Sequence, residues 1–277
     1  MNTHQNLLND MDAYQPGTDE CAVWWLGQHG FAIKTRGAML YIDAFISPHP
    51  RRSIPPLLDP GEIRHADLVL GTHDHSDHID RKAWPAWAQA SPQATFVVPA
   101  FLLPKLPDSL GLDPGRFIGL NDGTTFRRGP VTVTGVASAH EFLDRDPDTG
   151  LYPYLGYVIQ CGALTLYHSG DCCVYEGLQA RLKAWHFDAM FLPINGRDAR
   201  RLESGCIGNM VYQEAADLAG ALNPALTIPT HYDMFPLNSE HPELFIQYMN
   251  VKYPNLCARI LRHGERQVIR HHGRSEG

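Results

Sequence analysis

His73, His75 and His78 share six consecutive positions with Asp74 and Asp77, inside the run Thr72-His73-Asp74-His75-Ser76-Asp77-His78-Ile79-Asp80. Imidazole nitrogen and carboxylate oxygen are the donors that divalent transition ions take, and an ordinary surface loop has no reason to concentrate them so tightly. If Asp67 to Gly71 is a buried strand, a chain that leaves the sheet still extended points His73, His75 and Asp77 to one side. A turn into a helix beginning near Asp80 then swings His78 back toward a second ion. Two ions side by side fit this spacing better than one.

A dinuclear site needs further ligands, and they belong at the ends of later strands. His140 ends Val131 to His140, whose alternating valines and threonines read as a strand leading into a loop. Asp171 closes Leu164-Thr165-Leu166-Tyr167-His168-Ser169-Gly170-Asp171, and one carboxylate there can bridge two cations about 3.5 to 4 Å apart. His231 follows the apolar run from Leu226. Each alone reads as a hydrogen-bonded surface residue; the ordered set reads as a metal centre.

Taken in order, His-x-His-x-Asp-His, then His140, Asp171 and His231, resemble the metallo-β-lactamase-fold hydrolases along nearly the whole chain. Three further segments are most similar to the L-ascorbate-6-phosphate lactonase branch: Trp24-Trp25-Leu26-Gly27-Gln28-His29-Gly30-Phe31, Leu166 to Asp171, and Ala221 to His231. The resemblance implies an α/β fold, a four-layer αββα sandwich with two similar halves dividing near Val136. It implies one ion held by His73, His75 and His140, a second held by Asp77, His78 and His231, and Asp171 bridging them. It favours manganese, while the nitrogen and oxygen donors also accept zinc or iron. Cys172 and Cys173 directly follow Asp171, and ligation by Cys172 would tilt the choice to zinc.

Two dications lower the pKa of a shared water and polarise a carbonyl or phosphoryl oxygen, so hydrolysis by a bridging hydroxide is the natural reaction. Asp77 is placed to ligate and also to orient the nucleophile or shuttle its proton. Asp43, ending the strand Leu40-Tyr41-Ile42-Asp43, is the first candidate to fix an imidazole tautomer from behind. Asp74 and Asp80 follow, Asp80 being better suited to capping the next helix.

For substrate contacts, Asn195, Arg197 and Asn209 have counterparts in the lactonase-like family on loops near the metals, and their side chains suit a phosphate or sugar hydroxyl. Arg51 and Arg52 offer a second anion-binding element. Tyr232 either donates to a developing oxyanion or packs. Trp24 and Trp25 belong to the core.

The chain of 277 residues, 44% hydrophobic and 19% charged, suits one globular domain, 1 to 277. A formal net charge of -7 argues against a general nucleic-acid binder. No run approaches a membrane span, and the first ten residues lack a leader's basic start and apolar core, so a cytoplasmic location is expected. Six cysteines without a Cys-x-x-Cys pair suggest free thiols. The first twenty and last six residues read as frayed, with His271 and His272 as tail residues. A closed homo-oligomer is the general expectation for a soluble enzyme.

Strands are expected at Ala22 to Leu26, Phe31 to Thr35, Met39 to Asp43, Asp67 to Gly71, Thr95 to Val98, Val131 to Ala137, Tyr157 to Cys161, Leu164 to His168, Ala189 to Leu192 and Leu226 to Ile228. Helices are expected at Arg81 to Ala90, Val174 to Trp185, Tyr212 to Leu222 and Pro242 to Val251. The function these elements support is a metal-dependent lactonase for a phosphorylated or polyhydroxy small molecule such as L-ascorbate 6-phosphate. A phosphodiesterase using the same ions, and a metal-dependent ligand-binding protein without turnover, are the alternatives.

Overall fold

Strands whose residues are apolar without interruption must be covered on both faces, and the first strand shows how. In β1 (Glu20–Gly27), Cys21, Val23 and Trp25 point into one core, while Ala22, Trp24 and Leu26 point into another. The same division runs through β2 (Gly30–Lys34), β3 (Met39–Ile42), β4 (Leu68–Leu70) and β5 (Thr95–Pro99), and β6 (Phe117–Leu120) closes the first half. A second sheet follows from β7 (Thr125–Arg128), β8 (Val131–Ala137), β9 (Leu155–Cys161), β10 (Leu164–His168), β11 (Ala189–Pro193) and β12 (Thr227–Thr230). The last strand, β13 (Arg266–Arg270), returns to the first sheet and pairs antiparallel with β1.

The computed structural model describes residues 3–271. Its seven-stranded sheet has the order β13-β1-β2-β3-β4-β5-β6, and its six-stranded sheet the order β12-β11-β10-β9-β8-β7. The helices are α1 (Thr3–Ala13), α2 (Trp84–Ala90), α3 (Leu106–Leu110), α4 (Leu178–Leu182), α5 (Ala199–Glu203), α6 (Tyr212–Leu222) and α7 (Pro242–Lys252). Leu8 and Met11 of α1, Trp84 and Trp87 of α2, and Leu106 and Leu110 of α3 cover the outer face of the first sheet. Leu178 and Leu182 of α4, Ala215 and Ala219 of α6, and Phe245 and Met249 of α7 join the core shared with the second sheet. The architecture is the expected αββα sandwich. Among the described residues no helix is long and apolar enough to cross a membrane.

Several expectations are corrected. Much of the N-terminal segment expected to fray is a helix with Leu7, Leu8 and Met11 buried. Burial of that apolar stripe against the first sheet supplies what an isolated short helix lacks. The two sheets change over between Leu120 and Thr125, not near Val136, which lies inside β8. Helix α2 starts at Trp84 rather than Arg81, and α4 is shorter than Val174 to Trp185. His271 lies 3.0 Å from the Asp188 carboxylate through Nδ1 and is therefore anchored; the last six residues, His272 among them, lie outside the described residues.

The edge strands β7 and β13 escape sequence reading for one reason. Thr-Phe-Arg-Arg and Arg-Gln-Val-Ile-Arg are largely polar, and each is a strand because a buried neighbour offers its free edge.

Candidate metal centre

The ligand run does not leave β4 extended. It coils, with the amides of His78 and Ile79 both donating to the His75 carbonyl. Asp80 stabilises this coil: its carboxylate accepts the amides of Ile46, Ser47 and Ala83 and the Ser47 hydroxyl. The Ala83 contact caps the turn that leads into α2 rather than α2 itself, whose N-cap is Ala83 without a side-chain bond, and the others tie down the loop after β3. Asp74 points outward into an ion pair with Arg81.

Coiling brings the donors together where an extended chain would have spread them. His73 Nε2 and His75 Nδ1 lie 2.9 Å apart, and His140 Nε2 lies 3.3 Å from the same Nδ1. His78 Nε2 lies 3.8 Å from Asp77 Oδ2, and His231 Nε2 lies 3.9 Å from it. Asp171 stands between the two groups, with Oδ1 3.3 Å from His78 Nε2 and Oδ2 3.3 Å from His231 Nε2 and 3.6 Å from His140 Nε2. Donors bonded at ~2.1 Å to one ion sit about 3.0 to 3.4 Å apart; the separations within the His73, His75 and His140 group and from Asp171 to His78 and His231 are close to that, while those from Asp77 to His78 and His231 are wider. His73, His75 and His140 form one group and Asp77, His78 and His231 another, each within 4.8 Å.

The chemistry of the donors agrees. His78 Nε2 and Asp171 Oδ1 are buried and face each other at 3.3 Å without a well-formed hydrogen bond, an arrangement that a cation between them would satisfy. Burial pushes the imidazoles of His73 and His75 below their ordinary pKa and that of His140 to about 4, so all three present neutral lone pairs. Burial works against ionising Asp171, but His231 and His78 outweigh it and hold its carboxyl well below the usual range.

The loops are locked by groups outside the ligand set. Asp43 accepts the Thr72 amide at 2.9 Å, the Thr72 hydroxyl at 2.7 Å and His78 Nδ1–H at 2.7 Å. Thr72 Oγ1 in turn lies 3.1 Å from His73 Nδ1, so one carboxylate orients two candidate ligands. The Ser138 hydroxyl contacts the carbonyls of Ser169 and Asp171. Gly170, at φ +59°, packs where a Cβ would lie 2.5 Å from the Leu155 carbonyl oxygen, so this turn before Asp171 requires glycine.

Comparison with known proteins settles the kinship. Residues 39–232, which span every one of these candidate ligands, match the model of the β-lactamase superfamily domain. The chain belongs to that family. A UPF0173 metal-dependent hydrolase of Thermococcus kodakarensis is 30% identical over 80% of this chain and 89% of its own. A second, of Caldivirga maquilingensis, is 28% identical over 87% of this chain and 95% of its own. Among solved structures, Igni18, a metallo hydrolase of Ignicoccus hospitalis, superposes with a TM-score of 0.73 at 20% identity, over 91% of this chain and all of its own.

In this β-lactamase superfamily chain, the candidate substrate residues divide. Arg51 lines a pocket of about 510 Å³ with His75, Asp77, His140 and Asp171 on its floor. Arg52 instead donates to the carbonyls of Phe45, Ser47 and Ile54 and braces the loop. Arg197 makes a two-pronged pair with Glu214 and donates to the Asn209 carbonyl, away from the lining. Asn209 and Asn195 are buried and reach the pocket only through a relay, Asn209 Nδ2 to Asn195 and Asn195 Nδ2 to Asn238, which does line it. The Tyr232 hydroxyl donates to the Leu261 carbonyl and its ring lies 4.4 Å from Trp25, so it packs rather than faces an oxyanion.

Neither thiol next to Asp171 joins a donor group among the described residues. Cys172 is buried in the core, where burial raises its thiol to about 12, and Cys173 Sγ contacts the Gly208 carbonyl.

Sequence reading missed the apolar pocket wall of Ile207, Phe235, Pro236 and Leu237, as well as His49, which lines the pocket and packs edge-on against Phe235. It also missed Thr72, His29 and His168. His168 Nε2 donates to the His29 carbonyl and its Nδ1 accepts the Gly170 amide, so it braces both strand ends. All three lie in segments singled out above for other residues: Thr72 opens the histidine run, and His29 and His168 sit in two of the segments similar to the lactonase branch.

The buried neutral imidazoles carry a pH signature. An unfolded histidine titrates near 6.5; where the folded value is lower, the stabilisation is complete above pH 6.5 and is lost as pH falls toward the folded value. For His140 that window runs from 6.5 to about 4, with up to about 3 kcal/mol at stake. Chelator-treated protein should lose Tm steadily across this window in a thermal melt; an unchanged Tm would contradict neutral burial of these rings.

Proposed function

We propose that this chain is a metal-dependent hydrolase that takes two divalent ions and opens a lactone or similar cyclic ester of an anionic small molecule. The observation that supports it is the convergence of His73, His75, His140, Asp77, His78, His231 and Asp171 beneath one small-molecule-sized pocket. Its curated relatives carry the name of metal-dependent hydrolases, and the sequence likeness to the lactonase branch supplies the ester and favours manganese, with zinc and iron as alternatives. Cytoplasmic location belongs to the same reading.

Two ions bound there would bring the pKa of a water near neutrality and polarise the substrate oxygen. The chain's own residues do the rest. His140 Nδ1 is held 3.2 Å from the Gly208 carbonyl, leaving Nε2 to face the floor. Asp77 lies at the pocket and stays ionised: burial opposes this, but His78 and His231 outweigh it. It can therefore accept a hydrogen bond from the attacking water and orient it. Arg51 supplies positive charge at the lining, while Ile207, Phe235 and Leu237 offer carbon rather than hydrogen bonds. That wall suits a substrate with an apolar skeleton better than a fully hydroxylated one. Arg51 also supports a second reading, hydrolysis of a small phosphodiester.

The test is protein stripped of metal, reconstituted with manganese, and offered L-ascorbate 6-phosphate, a set of alkyl-substituted lactones and bis(p-nitrophenyl) phosphate. Metal-dependent ring opening is the expected result. Cleavage of the phosphodiester alone would replace the lactonase reading by the second, and no turnover with both ions bound would leave a ligand-binding protein.

A further inference from the structure

The turn between β1 and β2 places a glutamine against the second donor group. Gln28 is fully buried, and its backbone adopts φ 54°, a left-handed conformation uncommon outside glycine and, for a residue with a long side chain, a sign of local constraint. The constraint is visible. The Gln28 carbonyl accepts the His231 amide at 2.8 Å and Trp25 Nε1–H at 3.1 Å, so the residue is fastened to the same loop that presents His231.

Its side chain ends among the donors of that group. The amide Nε2 lies 3.0 Å from Asp77 Oδ2 and 3.2 Å from His231 Nε2. Those are the spacings of neighbouring donors on one ion, about 3.0 to 3.4 Å for ~2.1 Å bonds. They are shorter than the 3.9 Å between Asp77 Oδ2 and His231 Nε2 themselves. The other amide atom, Oε1, is buried and has no hydrogen-bond partner. Nitrogen and oxygen of a carboxamide exchange places by a half-turn of the last torsion, at no cost in volume. Without an ion, the NH2 group is the better neighbour for the Asp77 carboxylate. A cation shared by Asp77, His78 and His231 reverses the preference, because it repels the amide hydrogens and attracts the carbonyl oxygen.

We propose that Gln28 is a ligand of the second ion through its side-chain oxygen. The assignment rests on the two-ion reading and goes beyond it by making the two positions chemically unlike. The first position has three imidazoles and a share of Asp171. The second has two imidazoles with the oxygens of Asp77, Asp171 and Gln28. More oxygen donors and a higher ligand count favour manganese or ferrous iron over zinc, which prefers four ligands.

Two readouts test this without any substrate. In calorimetric titration of metal-free full-length protein with manganese, wild type takes two ions, and Gln28→Leu weakens the second by about tenfold or more while the first changes little. In manganese-soaked crystals of the wild type, Gln28 Oε1 lies about 2.1 to 2.3 Å from the ion near His231. An unchanged second affinity in Gln28→Leu, or an Oε1 more than about 3 Å from that ion, overturns the proposal. Uptake of a single ion by the wild type overturns the two-ion reading and the role of Gln28 together. Should Gln28→Leu not fold, the crystallographic distance decides.

Discussion

Asp171→Ala is expected to abolish turnover and to release the second ion, with the fold retained. Asp171 is the carboxylate that reaches both donor groups, at 3.3 Å from His78 and His231 and 3.6 Å from His140. Alanine leaves His78 and His231 with Asp77 alone as their anionic partner on that side, so the second position loses its bridging charge as well as a ligand. Loss of a group that acts as a unit with the rest of a catalytic site costs on the order of 10⁴-fold in kcat. Under the proposed two-ion hydrolase, metal content measured after gel filtration should fall from two ions toward one, and hydrolytic turnover should fall with it. A variant that keeps two ions and wild-type turnover would remove the basis for a bridged pair. The backbone gives little reason for collapse, because the turn is held by the Ser138 hydroxyl on the Ser169 and Asp171 carbonyls, contacts that alanine preserves.

Asp43→Ala tests the layer behind the ligands and is expected to be the most destabilising single change near the site. The Asp43 carboxylate is fully buried and receives the Thr72 amide, the Thr72 hydroxyl and His78 Nδ1–H. Alanine leaves the Thr72 amide, the Thr72 hydroxyl and His78 Nδ1–H buried without this acceptor, at about 1 to 3 kcal/mol each, to which the left-handed backbone at Asp43, φ 46°, adds strain for alanine. Metal affinity should drop about 10 to 100-fold, because His78 loses its direct support and His73 the relay through Thr72. Thermal melts and metal titration of the same preparation check both effects. A variant with wild-type Tm and affinity would show that Thr72 and the turn alone suffice to hold the rings.

Much of this centre is legible in the amino-acid sequence. His73, His75, Asp77 and His78 stand out because they are crowded into one short run, and His140, Asp171 and His231 because each follows an apolar strand. Asp43 is legible for the same reason, at the end of β3. The sandwich follows from strands that are apolar on both faces, as in β1 and β3, which need a layer on each side. Where reading failed, the deciding partner lies far away in sequence. Arg197 looks like an anion binder until Glu214 takes its fork. Tyr232 is open between oxyanion donor and packing until its hydroxyl is seen donating a hydrogen bond to the Leu261 carbonyl. Gln28 enters the sequence only as part of a segment similar to the lactonase branch, and its amide is seen between Asp77 and His231 once the fold is built.

Residue types and their order along the chain specify which atoms of this protein can bind cations, because donor chemistry belongs to the side chain and strand ends follow from local pattern. Which of those atoms face each other is fixed by folding in three dimensions. A ring nitrogen is free for an ion when the other nitrogen is already engaged, as His78 Nδ1 is by Asp43 and His140 Nδ1 by the Gly208 carbonyl. Those engagements form between segments that are brought together only when the two sheets pack.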